Sequence, residues 1–119
     1  MAPKLSSRQQ AQVAFLERVA PKLPRIYSLI EQLAGPKVDE AVLRGLGRVL
    51  DDIKGNAAGL SLGPLAETAG RMGMLVRAGG GMAVKVRGLR ELHNSLKTNY
   101  DAALRVATTP WPEEPEATA

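Results

Sequence analysis

The chain has no cysteine and one histidine, His93. Without cysteine there are no disulfides and no thiolate zinc sites, and a reducing compartment is compatible. With one histidine, a metal site would have to be built from carboxylates, and no ligand spacing offers one; neither a metal nor a cofactor is expected. Aromatic residues are nearly as scarce, at one Phe, two Tyr and one Trp. A core must therefore come from Leu, Val, Ile, Ala and Met, which suits helix packed on helix. Base-stacking surfaces are missing too, and the Lys and Arg residues are scattered, so nucleic acid is not an expected partner. No apolar run approaches the ~20 residues of a membrane span, and "MAPKLSSRQQ" lacks the apolar core of a signal peptide. No membrane contact is expected, and a soluble, cytoplasmic, monomeric protein is.

What is present is enough for one domain: 119 residues, 45% of them hydrophobic. Ser6 or Ser7 can cap a first helix through "RQQAQVAFLERVA", with Val13, Phe15, Leu16 and Val19 apolar. Pro21 stops or kinks it, and Pro24 falls in the opening turn of a second, "PRIYSLIEQLAG", ended by Gly35-Pro36. The third segment, "KVDEAVLRGLGRVLDDIKGNAAGL", has the clearest period, through Leu43, Leu46, Val49, Leu50, Ile53, Ala57 and Leu60, with Asp39 as N-cap. A break at Gly63-Pro64 leads to a helix marked by Leu65, Ala69, Met72, Leu75 and Val76. Ala78 to Gly81 is a loop, and a last long helix aligns Val86, Leu89, Leu92, Leu96, Tyr100, Ala103, Leu104 and Ala107. No run alternates with period two. The expectation is an all-α, antiparallel up-down four-helix bundle with an additional N-terminal helix over residues 1–107, followed by a disordered acidic, Pro-rich tail, 108–119.

Charge follows the same division. With three of the twelve carboxylates in the tail, residues 1–107 hold sixteen bases against nine acids, a surplus of seven. A basic body of this kind suits an acidic partner surface.

The third segment carries an odd exposed face. With Leu46 as the buried reference and 100° per residue, Arg44, Gly47, Arg48, Asp51, Gly55, Ala58 and Gly59 fall on the solvent side, and Lys54 flanks them. Glycine inside a helix costs about 1 kcal/mol relative to alanine. Small residues at exposed positions suggest that another surface comes close. Asp51 stands at the centre of the strip.

"Asp51-Asp52-Ile53-Lys54-Gly55-Asn56-Ala57-Ala58", followed by Leu60, Gly63, Leu65 and Ala66, resembles the signature of histidine-phosphotransfer (Hpt) domains. That signature runs His-x-Leu-Lys-Gly-(Ser/Asn)-Ala, then a Gly and Leu-Ala at the start of the next helix. "AFLERVAPKLPRIYSLIEQL" is similar to the family's preceding helices, and the resemblance spans about residues 10 to 105. It implies an up-down bundle that docks on receiver domains of two-component signalling. The family's lysine, here Lys54, balances phosphoryl charge, and its glycine, here Gly55, leaves room for the partner.

The resemblance also places Asp51 where the family carries its phosphorylated histidine. Phosphoryl transfer there needs an imidazole nitrogen as nucleophile, and a helix-surface carboxylate without an acidic pocket and Mg²⁺ does not replace it. The implied protein is a non-catalytic, pseudo-phosphotransfer adaptor or regulator of a phosphorelay, not an enzyme. Its partner is a response-regulator receiver domain or a histidine kinase, bound through Arg44, Gly47, Arg48, Asp51, Lys54, Gly55, Ala58 and Gly59. Asp51 is then a stand-in for phosphohistidine, or a solvated carboxylate paired with Arg48 or Lys54. Two alternatives stand beside this: transfer through His93, and a helical interaction module outside phosphorelays. His93 projects toward Leu89 and Leu96, which favours a packing role; Asp52 falls at the edge as ordinary surface. The Gly79–Gly81 run follows a helix and lacks the residues of a phosphate-binding loop. Met72, Met74 and Met82 are expected as core filler, and Trp111 as a lone aromatic in the tail or a short docking motif.

Overall fold

A computed structural model of the chain describes residues 4–37 and 39–110. Five helices, and no strand among the described residues, follow in order: α1 Ser7–Val19, α2 Lys22–Leu33, α3 Glu40–Gly59, α4 Gly63–Arg77 and α5 Met82–Ala107. The fold is all-helical, as the absence of any period-two pattern requires. Three of the helix starts have a local cause. Ser6 and Gln9 form a capping box at α1, each side chain bonded to the other's backbone N–H at 3.0 Å. Asp39 caps α3 by accepting from the Ala41 N–H at 2.9 Å. Pro64 sits in the first turn of α4, where a missing N–H costs nothing.

The break after α3 comes earlier than Gly63-Pro64. Ser61 adopts a left-handed φ of 61°, and two bonds close the helix behind it. Leu62 N–H donates to Ala57 O at 2.9 Å and Ser61 N–H to Ala58 O at 3.2 Å, the Schellman arrangement, with serine in the place usually held by glycine. Gly63 and Pro64 then belong to α4 itself.

α3 packs on α4, α4 on α5, α5 on α2 and α2 on α3, so a bundle-like core is enclosed, and α1 lies against α2, α3 and α5. The core is aliphatic, as the shortage of aromatics demands: Leu16, Ile26, Ile30, Leu46, Leu50, Ile53, Leu65, Met72, Leu89 and Leu96 are all fully buried. Each such side chain stabilises the fold by roughly 1.5–3 kcal/mol. Met74 departs from the expected methionine filler: it is 73% exposed, because it lies two positions from the buried Met72 and so points away from the core. Of the expected tail, Thr108, Thr109 and Pro110 are described, while residues 111–119, Trp111 among them, lie outside the described residues.

Four polar side chains are buried with the apolar ones, and each has a partner. Gln9 Nε2 donates to Thr109 O at 2.7 Å and Val106 O at 3.3 Å. Gln12 Nε2 donates to Leu60 O at 2.8 Å. The first helix thus supplies donors at the carbonyl ends of α5 and α3, where the intrahelical ladder runs out. His93 Nε2 and Leu23 O are 2.9 Å apart; a carbonyl only accepts, so the proton sits on Nε2. Lys85 Nζ donates to Leu75 O at 3.0 Å, Val76 O at 2.9 Å and Ala78 O. It closes the carboxyl end of α4 with a positive charge, the sign the helix dipole favours there.

Candidate functional site

α3 positions the strip expected from the sequence, and α4 divides it. Arg44, Arg48, Asp51, Lys54, Gly55, Ala58 and Gly59 are exposed. Gly47, expected on the solvent side, is buried. α4 covers this position: a Cβ on Gly47 would lie 3.4 Å from Arg77 Nη2 and 3.8 Å from Val76 Cγ1, ordinary contact distances. Gly47 therefore faces the fold's own contact rather than a partner's.

Arg77, the last residue of α4, reaches back across this contact. Its Nη2 pairs with Asp51 Oδ2, and its Nη1 donates to Gly73 O at 3.2 Å. Asp51 therefore pairs across helices and not with Arg48 or Lys54 on its own. The reason is geometric: the absence of side chains on Gly47 and Gly73 opens a channel in which the guanidinium lies. A Cβ on Gly73 would stand 3.1 Å from Arg77 Nη1 and 3.5 Å from Asp51 Oδ1. The two partners keep 54% and 56% of their side-chain surface exposed, so water and salt screen the pair and it contributes at most about 1 kcal/mol. Lys54 crosses α4 in the same way, one turn further along. A Cβ on Gly70 would meet its Cδ at 3.3 Å and Cε at 3.4 Å.

Beyond Lys54 the strip is open. A Cβ on Gly55 or Gly59 would meet nothing within 4 Å. Neither glycine is required by packing inside this chain, and each carries the usual penalty of glycine in a helix. Asp52 points elsewhere, pairing with Lys22 of α2 at 3.2 Å and accepting from Asn56 at 3.2 Å.

At the other end of the strip, Arg44, Gly47, Arg48 and Arg77 border a cavity of about 590 Å³ between α3 and the junction of α4 with α5. His93 is far from this strip in role: it is buried on α5, its Nε2 held by Leu23 O and its ring 5.5 Å from that of Tyr27. Among the described residues no three His, Asp or Glu side chains gather as a metal site would require. No family model, curated protein or solved structure matches this chain. The site therefore rests on its own geometry.

Sequence reasoning missed Arg77, Gly70, Gly73 and Lys85. The signal available was the pair Gly70 and Gly73 on one face of α4, followed four residues later by an arginine. Small residues three apart on a helix admit a neighbour's long side chain. Nothing local announced which neighbour.

Proposed function

We propose that this chain is a pseudo-phosphotransfer protein of the Hpt type. It is an up-down four-helix bundle with an additional N-terminal helix, and it binds a receiver domain or a histidine kinase through α3 without accepting a phosphoryl group. The observation that carries the reading is the environment of Asp51. It stands mid-strip on α3, beside Lys54 and the open surface of Gly55, Ala58 and Gly59, and its charge is already matched by Arg77. A carboxylate so paired presents little of the charge of a phosphohistidine, which favours a silenced position over a mimic of the phosphorylated state. The sole histidine supports the same view, since a buried imidazole bonded to a backbone carbonyl is poorly placed to attack an aspartyl phosphate.

The exposed cations fit this partner. Arg44, Arg48 and Lys54 present positive charge to the acidic mouth of a receiver, and the glycines let a partner's backbone approach. The test is twofold. Incubated with a receiver carrying labelled aspartyl phosphate, the protein should take up no stable label. In a binding measurement it should retain the receiver, and Gly55→Arg should abolish that binding while leaving the helical signal intact. Label on His93 would establish transfer; loss of no interaction in Gly55→Arg would favour a helical interaction module outside phosphorelays.

A further inference from the structure

The cavity at the amino-terminal half of α3 is strongly cationic. Arg44 and Arg48 stand one turn apart on the same helix face, an arrangement in which like charges work against the helix. Among the described residues neither forms an ion pair. Arg77 enters from α4 and Lys85 from α5, while Glu40 lies at the margin. Lys85 spends its three donors on α4 carbonyls and Arg77 is paired with Asp51, so Arg44 and Arg48 are the two cations of this wall without an ion-pair partner among the described residues. The rest of the wall is apolar, with Leu43, Val76 and Met82. The space, about 590 Å³, is an open depression at the surface rather than an enclosed chamber.

We propose that this cavity binds a small phosphate monoester with an apolar or aromatic body. Such a head group carries about −1.5 to −2 at pH 7, enough for both unpaired guanidiniums, whereas a carboxylate carries a single charge. Arg44 and Arg48 offer planar forks to the phosphate oxygens. Arg77 is preset: Asp51 and Gly73 O hold two of its N–H donors and fix the direction of the others. Leu43, Val76 and Met82 receive the body of the ligand.

Arg44 and Arg48 serve both this site and receiver docking, and the two readings are separated by Gly55→Arg, which should abolish receiver binding and leave phenyl phosphate binding unchanged. The experiment is a titration of ¹⁵N-labelled protein at low ionic strength with phenyl phosphate, inorganic phosphate and benzoate. Phenyl phosphate should give saturable shifts at the Gly47, Val76, Ala78 and Met82 amides, with a Kd at least about tenfold below those of the other two. The double variant Arg44→Gln/Arg48→Gln alters only exposed side chains and, by removing a like-charge pair, should melt no lower than the native protein. Its Kd for phenyl phosphate should rise by at least about tenfold. Absence of saturable shifts, equal affinity for benzoate, or unchanged affinity in the double variant each overturns the proposal.

Discussion

Replacing Lys85 by methionine keeps the length and apolar stem of the side chain and removes its charge and three donors. Lys85 is 6% exposed, and it serves Leu75 O, Val76 O and Ala78 O. Charge-assisted hydrogen bonds contribute about 1.5–3 kcal/mol where water cannot replace them, and that holds for the buried bond to Val76 O. The other two are partly buried, so water takes over some of their value and each loses about 0.5–1.5 kcal/mol. Against these losses, methionine avoids the cost of desolvating an ammonium group, which returns part of the sum. The net expectation is a destabilisation of roughly 2–4 kcal/mol. At about 4–8 °C per kcal/mol for a domain near 100 residues, the melting temperature should drop by roughly 10–25 °C. Lys85→Gln, which retains two donors without the charge, should fall between methionine and the native protein. Thermal unfolding followed by circular dichroism reads all three. If Lys85→Met melts within about 2 °C of the native protein, the carbonyl end of α4 is satisfied by water and the argument from buried donors is wrong.

Other expectations follow from single positions. Ser61→Gly should stabilise the protein by about 1 kcal/mol, since a left-handed φ of 61° strains any residue with a Cβ; urea titration would show a raised midpoint with an unchanged slope, and a lowered midpoint would mean that the Arg8–Ser61 side-chain bond outweighs the strain. Gly55→Ala should gain about 0.8–1 kcal/mol by the same assay, because its Cβ meets nothing within 4 Å. That gain combined with weakened receiver binding would identify the glycine as kept for a partner. The Arg90 guanidinium grips Glu31 in a two-pronged pair, both bonds at 2.7 Å, and holds its carboxyl below the ordinary 4.5. A lowered folded-state value means that the contribution is whole above the unfolded value and is lost as pH falls through the folded one. Glu31→Gln should therefore flatten the acid limb of the stability curve and leave the neutral region less stable than in the native protein; an identical pH profile would deny the pair any role.

The helices were legible because the apolar spacing of α3 and α5 is strong, and because Asp39 and the Ser6-Ser7 pair offer caps, of which Ser6 is the one used. The exposed strip was legible in the same way, except at Gly47. A helical wheel assigns an angle and cannot say how wide the neighbour's footprint is. α4 extends over Gly47 because its own face at Gly70 and Gly73 is equally bare, and that match between two helices has no signature in either one. Arg77 is lost for a related reason: its partner lies 26 residues earlier, on another helix. Gln9 and Gln12 fit a polar face by composition, yet they are buried because the ends of two distant helices need donors.

Of those two glutamines, Gln12 ties together parts of the chain 48 residues apart, and Gln9 parts almost its full length apart. Gln9 and Thr109 are separated by 100 residues, so closing that contact early would confine nearly the entire polymer for little return. The order of assembly that follows has α2 to α5 associating first and α1 arriving as a latch. Release of the latch frees two helix ends at once, since the carbonyls of Val106, Thr109 and Leu60 lose their donors in one event. The first helix and the last turn of α5 should then exchange their amide hydrogens together, as one cooperative unit built from opposite ends of the sequence.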